Sequence, residues 1–362
     1  MKIGIIAAYF YPAGAEGYPE RMAEILKNEN HDVDVITTNI DPNGRLIKND
    51  SYKGIKVNRQ RTYLHYGEFA TVWFPKVKYY DVIHCCGGYR HLHTFYTYLM
   101  KGKSKFIISP FFPEHQRDRL LHKFFIPIMD RTIGKYLLRH ADYCLAETEK
   151  EKNWLKKFGV KKIFIIPNPI PISYFKNGDG MRFRDKFNIK GKMVFCLGAH
   201  VPIKNFEEII KVIPNIDATF VIGGEETEYT NKCKRLAESL GINNKIKWVG
   251  YLDDENKLDA YSASNLFVLT SKRESLGTVL IEAMAQEKPV LASNTGGMSE
   301  VVPDKLCLYQ PGNLRELGNK INMFLTNRAL AKNIGKKGAN KARRYSIKNV
   351  AKKYISVIKS IK

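Results

Sequence analysis

Short apolar runs alternate with amphipathic stretches along this chain, and the alternation breaks once and restarts. Lys2–Ala8 reads as a buried parallel strand, because all but its first residue are apolar or small. A glycine-bearing loop follows, and Pro19 stands at a first helical position for an amphipathic helix through Asn28. Further strands are predicted at Val33–Thr37, Ile55–Arg59, Asp81–Cys85, Lys105–Ser109, Tyr143–Ala146 and Lys162–Ile166. Thr148 and Glu151 form a capping-box pattern for a helix reaching Phe158. PNPIPISYF at 167–175 then interrupts the periodicity and reads as a linker. The second series has strands at 193–198, 219–222, 246–249 and 265–270. Its helices are expected from about 205, over 229–240 and 254–263, and from Thr278. Pro289 opens one more strand, helices are expected over 313–326 and 328–344, and Ile347–Ile361 is a basic amphipathic helix. Two β/α series predict an α/β chain of two Rossmann-like, doubly wound domains facing across a cleft. The expected limits are 1–170 and 171–345, with 346–362 as a C-terminal helix crossing back to the first domain.

The chemistry concentrates in Leu269–Val302, LTSKRESLGTVLIEAMAQEKPVLASNTGGMSEVV. A strand there empties into a polar loop, and the next helix begins near Thr278. The N–H groups of Leu276, Gly277 and Thr278 would point out of that helix's N-terminus, where unpaired donors and the helix dipole stabilise an anion such as a diphosphate. Glu274 lies in the loop and Glu282 on the helix, on one face with Thr278. Carboxylates on both sides of a diphosphate site suit the hydroxyls of a nucleotide sugar. A capped surface helix with solvated acids is the plainer reading of the same residues.

E-S-L-G-T-V-L-I-E-A-M-A, followed by K-P-V-L-A-S and T-G-G-M-S-E, resembles the donor site of family 4 glycosyltransferases. The resemblance implies the GT-B fold and a retaining transfer that needs no metal and no cofactor beyond the nucleotide-sugar co-substrate. It assigns Glu274 to the sugar hydroxyls and Glu282 to the ribose. The family also carries a glycine, an arginine and, five residues on, a lysine that neutralise the diphosphate. Gly198 and Lys204 match that pattern, but Ala199 stands at the arginine position. His200 beside it is a candidate for part of the missing charge, whereas losing an arginine fork should weaken or re-aim the grip. Lys204 as a solvated helix-leading lysine is the alternative.

In the first domain the resemblance places acceptor and donor phosphates at the glycine loop, here Gly14 and Gly17. A histidine near sugar and acceptor has its nearest counterpart in His115 or Glu114, since Phe111 and Phe112 occupy the family's positions; for His115, a surface-loop histidine is the other reading. HCCGGYRHLH at 84–93 is not read as a metal site, because successive strand residues point to opposite faces and zinc sites want wider spacings. His84 is expected at the cleft end of its strand, as an acceptor-site candidate. Gly223–Gly224 allow a close backbone approach near the nucleotide or form a plain turn.

Charge changes the picture of partners. The 362 residues carry 59 Lys and Arg against 36 Asp and Glu, a net +23. Residues 45–140 hold 18 cations and 6 acids, and 328–362 hold 12 cations and no acid. Such surfaces attract polyanions, anionic lipid headgroups among them. HQRDRLLHKFFIPIMDRTIGKYLLRH (115–140) reads equally as an interfacial membrane helix or as a core helix with a basic outer side. No apolar run approaches the roughly 18 residues of a membrane span, and the start, MKIGIIAAYFYP, is too short for a signal peptide. Six cysteines without a C-x-x-C pair fit a reducing compartment. The expected protein is cytoplasmic, peripheral on the cytoplasmic membrane face, with a lipid-linked or glycan acceptor and no nucleic-acid partner. A non-catalytic polyanion-binding module and a sugar-nucleotide epimerase of the same architecture are the competing readings.

Overall fold

The computed structural model describes residues 1–10, 17–41, 44–48, 51–66, 70–111 and 127–361, which form two compact units. Met1–Pro169 with Val350–Lys362 make the first unit, and Ile170–Asn349 the second.

The first unit is built on β1 (Lys2–Ala7), β2 (Asp32–Thr38), β3 (Ser51–Tyr52), β4 (Ile55–Gln60), β7 (Val82–Cys86), β8 (Lys105–Ser109), β9 (Tyr143–Ala146) and β10 (Ile163–Ile165). A separate hairpin joins β5 (Leu64–Tyr66) to β6 (Ala70–Val72). The sheet order is β10-β9-β8-β7-β1-β2-β4-β3, parallel throughout except for the edge strand β3. The central strands are apolar along their length because helices cover both faces, and Ile3, Ile5, Ile83 and Ile107 are wholly buried. The helices are α1 (Tyr18–Asn28), α2 (Leu92–Met100), α3 (Ile133–His140) and α4 (Glu149–Lys157). Buried Leu137 and Leu138 seat α3 in this core. The Pro167–Pro169 text marked as a linker is held by α1, since the buried Arg21 guanidinium donates to the carbonyl of Pro169 at 2.6 Å and to Asn168 at 3.2 Å.

The cap of α4 differs from the expected box by one residue. Thr148 Oγ1 accepts the N–H of Glu151 at 3.1 Å, but Glu151 Oε2 takes the N–H of Glu147 at 2.6 Å rather than that of the cap itself. Burial, with the Glu147 charge beside it, pushes the Glu151 carboxyl up to about 8. Its unfolded value lies near 4.3. The folded state therefore binds the proton more tightly, and the stability this confers is full below the unfolded value and is lost as pH rises to about 8. Glu151→Gln should remove that slope: melts at about pH 3.5, below the unfolded value, should match wild type, and melts above pH 8 should favour the variant by on the order of 1 kcal/mol or more.

The second unit has β11 (Met193–Leu197), β12 (Thr219–Gly223), β13 (Ile246–Gly250), β14 (Leu266–Leu269), β15 (Val290–Ser293) and β16 (Leu308–Tyr309). Their order is β13-β12-β11-β14-β15-β16, all parallel. The chain winds outward from β11 in one direction and then from β14 in the other, so the order reverses between these two strands. Around the sheet lie α5 (Gly180–Lys186), α6 (Phe206–Val212), α7 (Glu228–Ser239), α8 (Asp254–Ala263), α9 (Thr278–Ala285), α10 (Met298–Val301), α11 (Leu314–Thr326) and α12 (Arg328–Ala342). Asp253 caps α8 by accepting the N–H of Asn256 at 2.8 Å. Where the chain enters and leaves this unit, two backbone bonds of 2.9 Å clip the segments together, Ile170 N–H to Tyr345 O and Ile347 N–H to Ile170 O. The last helix, α13 (Ile347–Lys359), starts here, and its residues from Val350 group with the first unit.

Candidate functional site

Ligands of open α/β sheets bind beyond the strand carboxyl ends where the strand order reverses. In the second unit that place is set by β11 and β14. After β11, Gly198 leads into a short 3-10 turn, Pro202–Lys204. Asn205 then takes a left-handed conformation (φ 54°, ψ 43°) and turns the chain into α6. After β14 comes the loop Thr270–Gly277, and then α9. The loops are sewn together. Thr270 Oγ1 meets the carbonyls of Lys204 and Asn205, each at 3.0 Å, and Lys272 N–H donates to Ile203 O at 2.8 Å.

This stitching brings Lys204 and Glu274 into an ion pair, Nζ to Oε2 2.9 Å and to Oε1 3.3 Å. Both side chains are about four-fifths covered. The lysine stem crosses Gly198, where a Cβ would come within 3.3 Å of its Cδ and Cε. Gly224 is needed for a similar reason: at φ +136° a Cβ would lie 1.9 Å from the carbonyl oxygen of Gly198. Gly277 caps α9 in a left-handed conformation (φ 70°) and has no side chain to satisfy the helix's first N–H groups. Behind the loop, Gly296 (φ +48°) lets the backbone pass the carbonyl of Glu274, which accepts the N–H of Gly297 at 3.1 Å.

The anticipated group thus splits. Gly198, Lys204, Glu274, Gly277 and Thr278 gather around the start of α9, with buried Leu276 beneath. Glu282 is 4% exposed, and the buried Tyr261 hydroxyl donates to its Oε2 at 2.8 Å. The carboxylate expected at a ribose is therefore held by a phenol no motif announced. The Tyr261 hydroxyl is pushed well up by burial and by the Glu282 charge.

Two histidines are corrected. His200 does not stand in for the missing arginine: it is wholly buried, its Nδ1 shares a hydrogen bond of 3.0 Å with Thr230 Oγ1, and its ring packs edge-on to Phe206 and Trp248. Burial lowers its pKa, so it is neutral near pH 7. His84 is not an open residue at a strand end. It sits inside β7, wholly buried, with Nδ1 2.7 Å from the Tyr354 hydroxyl on α13 and Nε2 2.8 Å from Ser109 Oγ. Burial holds it down to about 3. Of the glycine-loop residues, Gly17 is the N-cap of α1, whereas Gly14 and His115 lie outside the described residues. The six cysteines are all buried free thiols.

Comparison with known proteins decides what this arrangement belongs to. Residues 179–341 match the model of glycosyl transferases group 1, and residues 12–174 match that of glycosyltransferase family 4. The chain belongs to the group 1 glycosyltransferases. Mannosylfructose-phosphate synthase of Agrobacterium fabrum is 29% identical over 227 residues, 57% of this chain and 50% of that protein, so the chain matches half the length of this relative. Among solved structures, sucrose-phosphate synthase of Thermosynechococcus elongatus superimposes with a TM-score of 0.80 at 20% identity, covering 99% of this chain and 98% of the other. Anabaena HepE in complex with UDP-glucose gives 0.80 at 19% identity, covering 99% and 100%. These likenesses establish the GT-B fold, with a Rossmann-like sheet in each unit. No helix among the described residues is long and apolar enough to cross a membrane.

Proposed function

We propose that this glycosyltransferase takes a sugar from a nucleoside-diphosphate sugar, with retention of configuration, and passes it to a lipid-linked or glycan acceptor. The observation that carries the reading is the Lys204–Glu274 pair at the switch point of the second sheet, beside an uncapped helix start. Lys204 and the first N–H groups of α9 neutralise the diphosphate, Glu274 orients the sugar hydroxyls, and Glu282 takes the ribose. No carboxylate is assigned as a covalent nucleophile, so the departing diphosphate accepts the proton of the incoming hydroxyl on the same face. Stabilising that developing charge supplies most of the rate. The UDP-glucose bound in the HepE complex supports a donor of this class. Neither a metal nor a further cofactor enters the scheme. A peripheral place on the cytoplasmic membrane face fits a net charge of +23.

The test is a panel of UDP-, GDP- and ADP-sugars assayed for nucleotide release with wild type and Glu274→Ala. Turnover of one donor should fall by about 10²–10³-fold in the variant. Affinity for the free nucleotide should change by less than about tenfold, because Glu274 faces the sugar. Product sugar still attached to nucleotide would identify an epimerase. Absence of turnover with every donor, alongside tight binding of polyanions, would favour the non-catalytic module.

A further inference from the structure

Helix α2 packs Phe95 and Tyr98 on the core but fully buries only polar side chains and leaves large apolar ones outside. Its buried residues are His93, Thr94 and Thr97, and its exposed ones include Leu92 (51% exposed), Leu99 (59%) and Met100 (42%). A helix of a water-soluble surface turns the opposite way, apolar stripe inward and charges outward. Here LHTFYTYLM carries neither an acid, a lysine nor an arginine. Leu92, Tyr96, Leu99 and Met100 follow the i, i+4, i+7, i+8 spacing of one face. The polar interior is poorly served for hydrogen bonds: His93 Nδ1, Thr94 Oγ1 and the neighbouring Trp73 Nε1 are buried with no partner among the described residues. The fold therefore tolerates a costly inner face while keeping an apolar outer one.

The face does not end with the helix. Tyr96 contacts Phe74 at 5.0 Å between ring centroids, and Phe74 contacts Tyr63 at 5.5 Å. Phe74 is 45% and Tyr63 64% exposed, and the Arg61 guanidinium lies over the Tyr63 ring. Of sixteen large apolar side chains exposed among the described residues, seven lie in the segment from Tyr63 to Met100, which also supplies the Tyr63–Phe74–Tyr96 ring contacts. At the other end, Met100 borders a recess of about 550 Å³ that is also lined by Lys78, Lys101, Lys103 and Lys105. Tyr79 stands at its rim, 87% exposed on a left-handed backbone (φ 74°). Lys105 approaches Asp142 at 3.7 Å, while Lys78 and Lys103 make no ion pair among the described residues. The single acid lining the recess, Asp81, already accepts the N–H of Lys2 at 2.7 Å.

We infer that the exposed face of α2, with the Tyr63–Phe74 rings and the adjoining lysine recess, is a docking surface for a bilayer rich in anionic lipid. The apolar and aromatic side chains enter the headgroup boundary, and the lysines meet phosphate or carboxylate headgroups. Nucleic acid would engage the lysines and be indifferent to Leu92 and Leu99, whereas a neutral apolar partner would be indifferent to the lysines. Both features adjoining in one patch favour the charged bilayer. The inference names the surface behind the peripheral placement proposed above and rests on that reading.

Vesicle flotation of the full chain tests it. Vesicles of phosphatidylcholine mixed with phosphatidylglycerol should carry wild type, and phosphatidylcholine alone should not. Leu92→Glu/Leu99→Glu, at exposed positions, and separately Lys78→Glu/Lys103→Glu should each weaken binding by about tenfold or more. Circular dichroism and nucleotide release from a donor in solution should stay as in wild type. Equal flotation of wild type and both double variants would overturn the surface while leaving peripheral attachment standing. Failure of wild type to float with anionic vesicles would overturn both. Binding of duplex DNA that is lost only in the lysine variant, with no flotation, would assign the recess to nucleic acid instead. Loss of nucleotide release in wild type would strike the transferase reading alone.

Discussion

Lys204→Ala is expected to lower kcat/KM for the donor sugar by at least about 10³-fold, with much of the loss appearing in nucleotide affinity. The size follows from two effects in the same direction. The substitution removes an ammonium from a site that is about four-fifths covered, where a charge-assisted bond is stronger than in water. It also strands Glu274, whose carboxylate lies 2.9 Å from that ammonium and would then repel the diphosphate directly. The fold should survive, since an isolated, partly exposed ion pair contributes about 1 kcal/mol or less. Lys204→Ala/Glu274→Gln separates the two effects: it should recover part of the nucleotide affinity without turnover, because the repulsion is gone and the cation is still missing. Calorimetric titration with UDP beside nucleotide-release assays reads both. An alanine variant with wild-type UDP affinity would remove the diphosphate from Lys204.

The alternation of elements was legible because parallel strands buried on both faces need unbroken apolar runs, and their helices need a 3.6-residue stripe. Lys105–Ser109, Tyr143–Ala146 and helix 254–263 fall where the pattern put them. The segments it missed bury the wrong kind of residue or are too short to show a period. α2 turns histidine and threonine inward, β5 and β6 are a few residues each, and α5 follows glycines that pack against the backbone of α8. At the candidate site, residues inside a motif could be read from the sequence, and the side chains that brace them from elsewhere could not. Thr270 anchoring the Lys204 turn and Tyr261 behind Glu282 are contacts across the fold, for which one sequence offers no signal. The histidine errors share a cause. His200 and His84 were judged by what stands next to them, yet burial on a sheet decides whether a histidine is charged or reachable.

Gly296→Ala is expected to cost about 3 kcal/mol of stability and, in the fraction that folds, most of the turnover. A left-handed backbone asks about 1–2 kcal/mol of any residue with a Cβ. Here that Cβ would also lie 1.8 Å from the carbonyl oxygen of Glu274, so one of the two segments must move, adding about 1–3 kcal/mol. The segment that moves carries the carboxylate paired with Lys204, and the bond from Gly297 N–H to Glu274 O fixes its height. Gly241→Ala is the matched control: its φ is +65°, yet nothing lies within 4 Å of a new Cβ. It should show the conformational cost alone and keep full nucleotide release. Urea melts of both variants isolate the steric part as their difference, and donor turnover at a temperature where both remain folded reads the displacement of Glu274. If Gly296→Ala melts and turns over as Gly241→Ala does, the backbone behind Glu274 yields without disturbing the pair, and the placement of that carboxylate does not depend on the glycine.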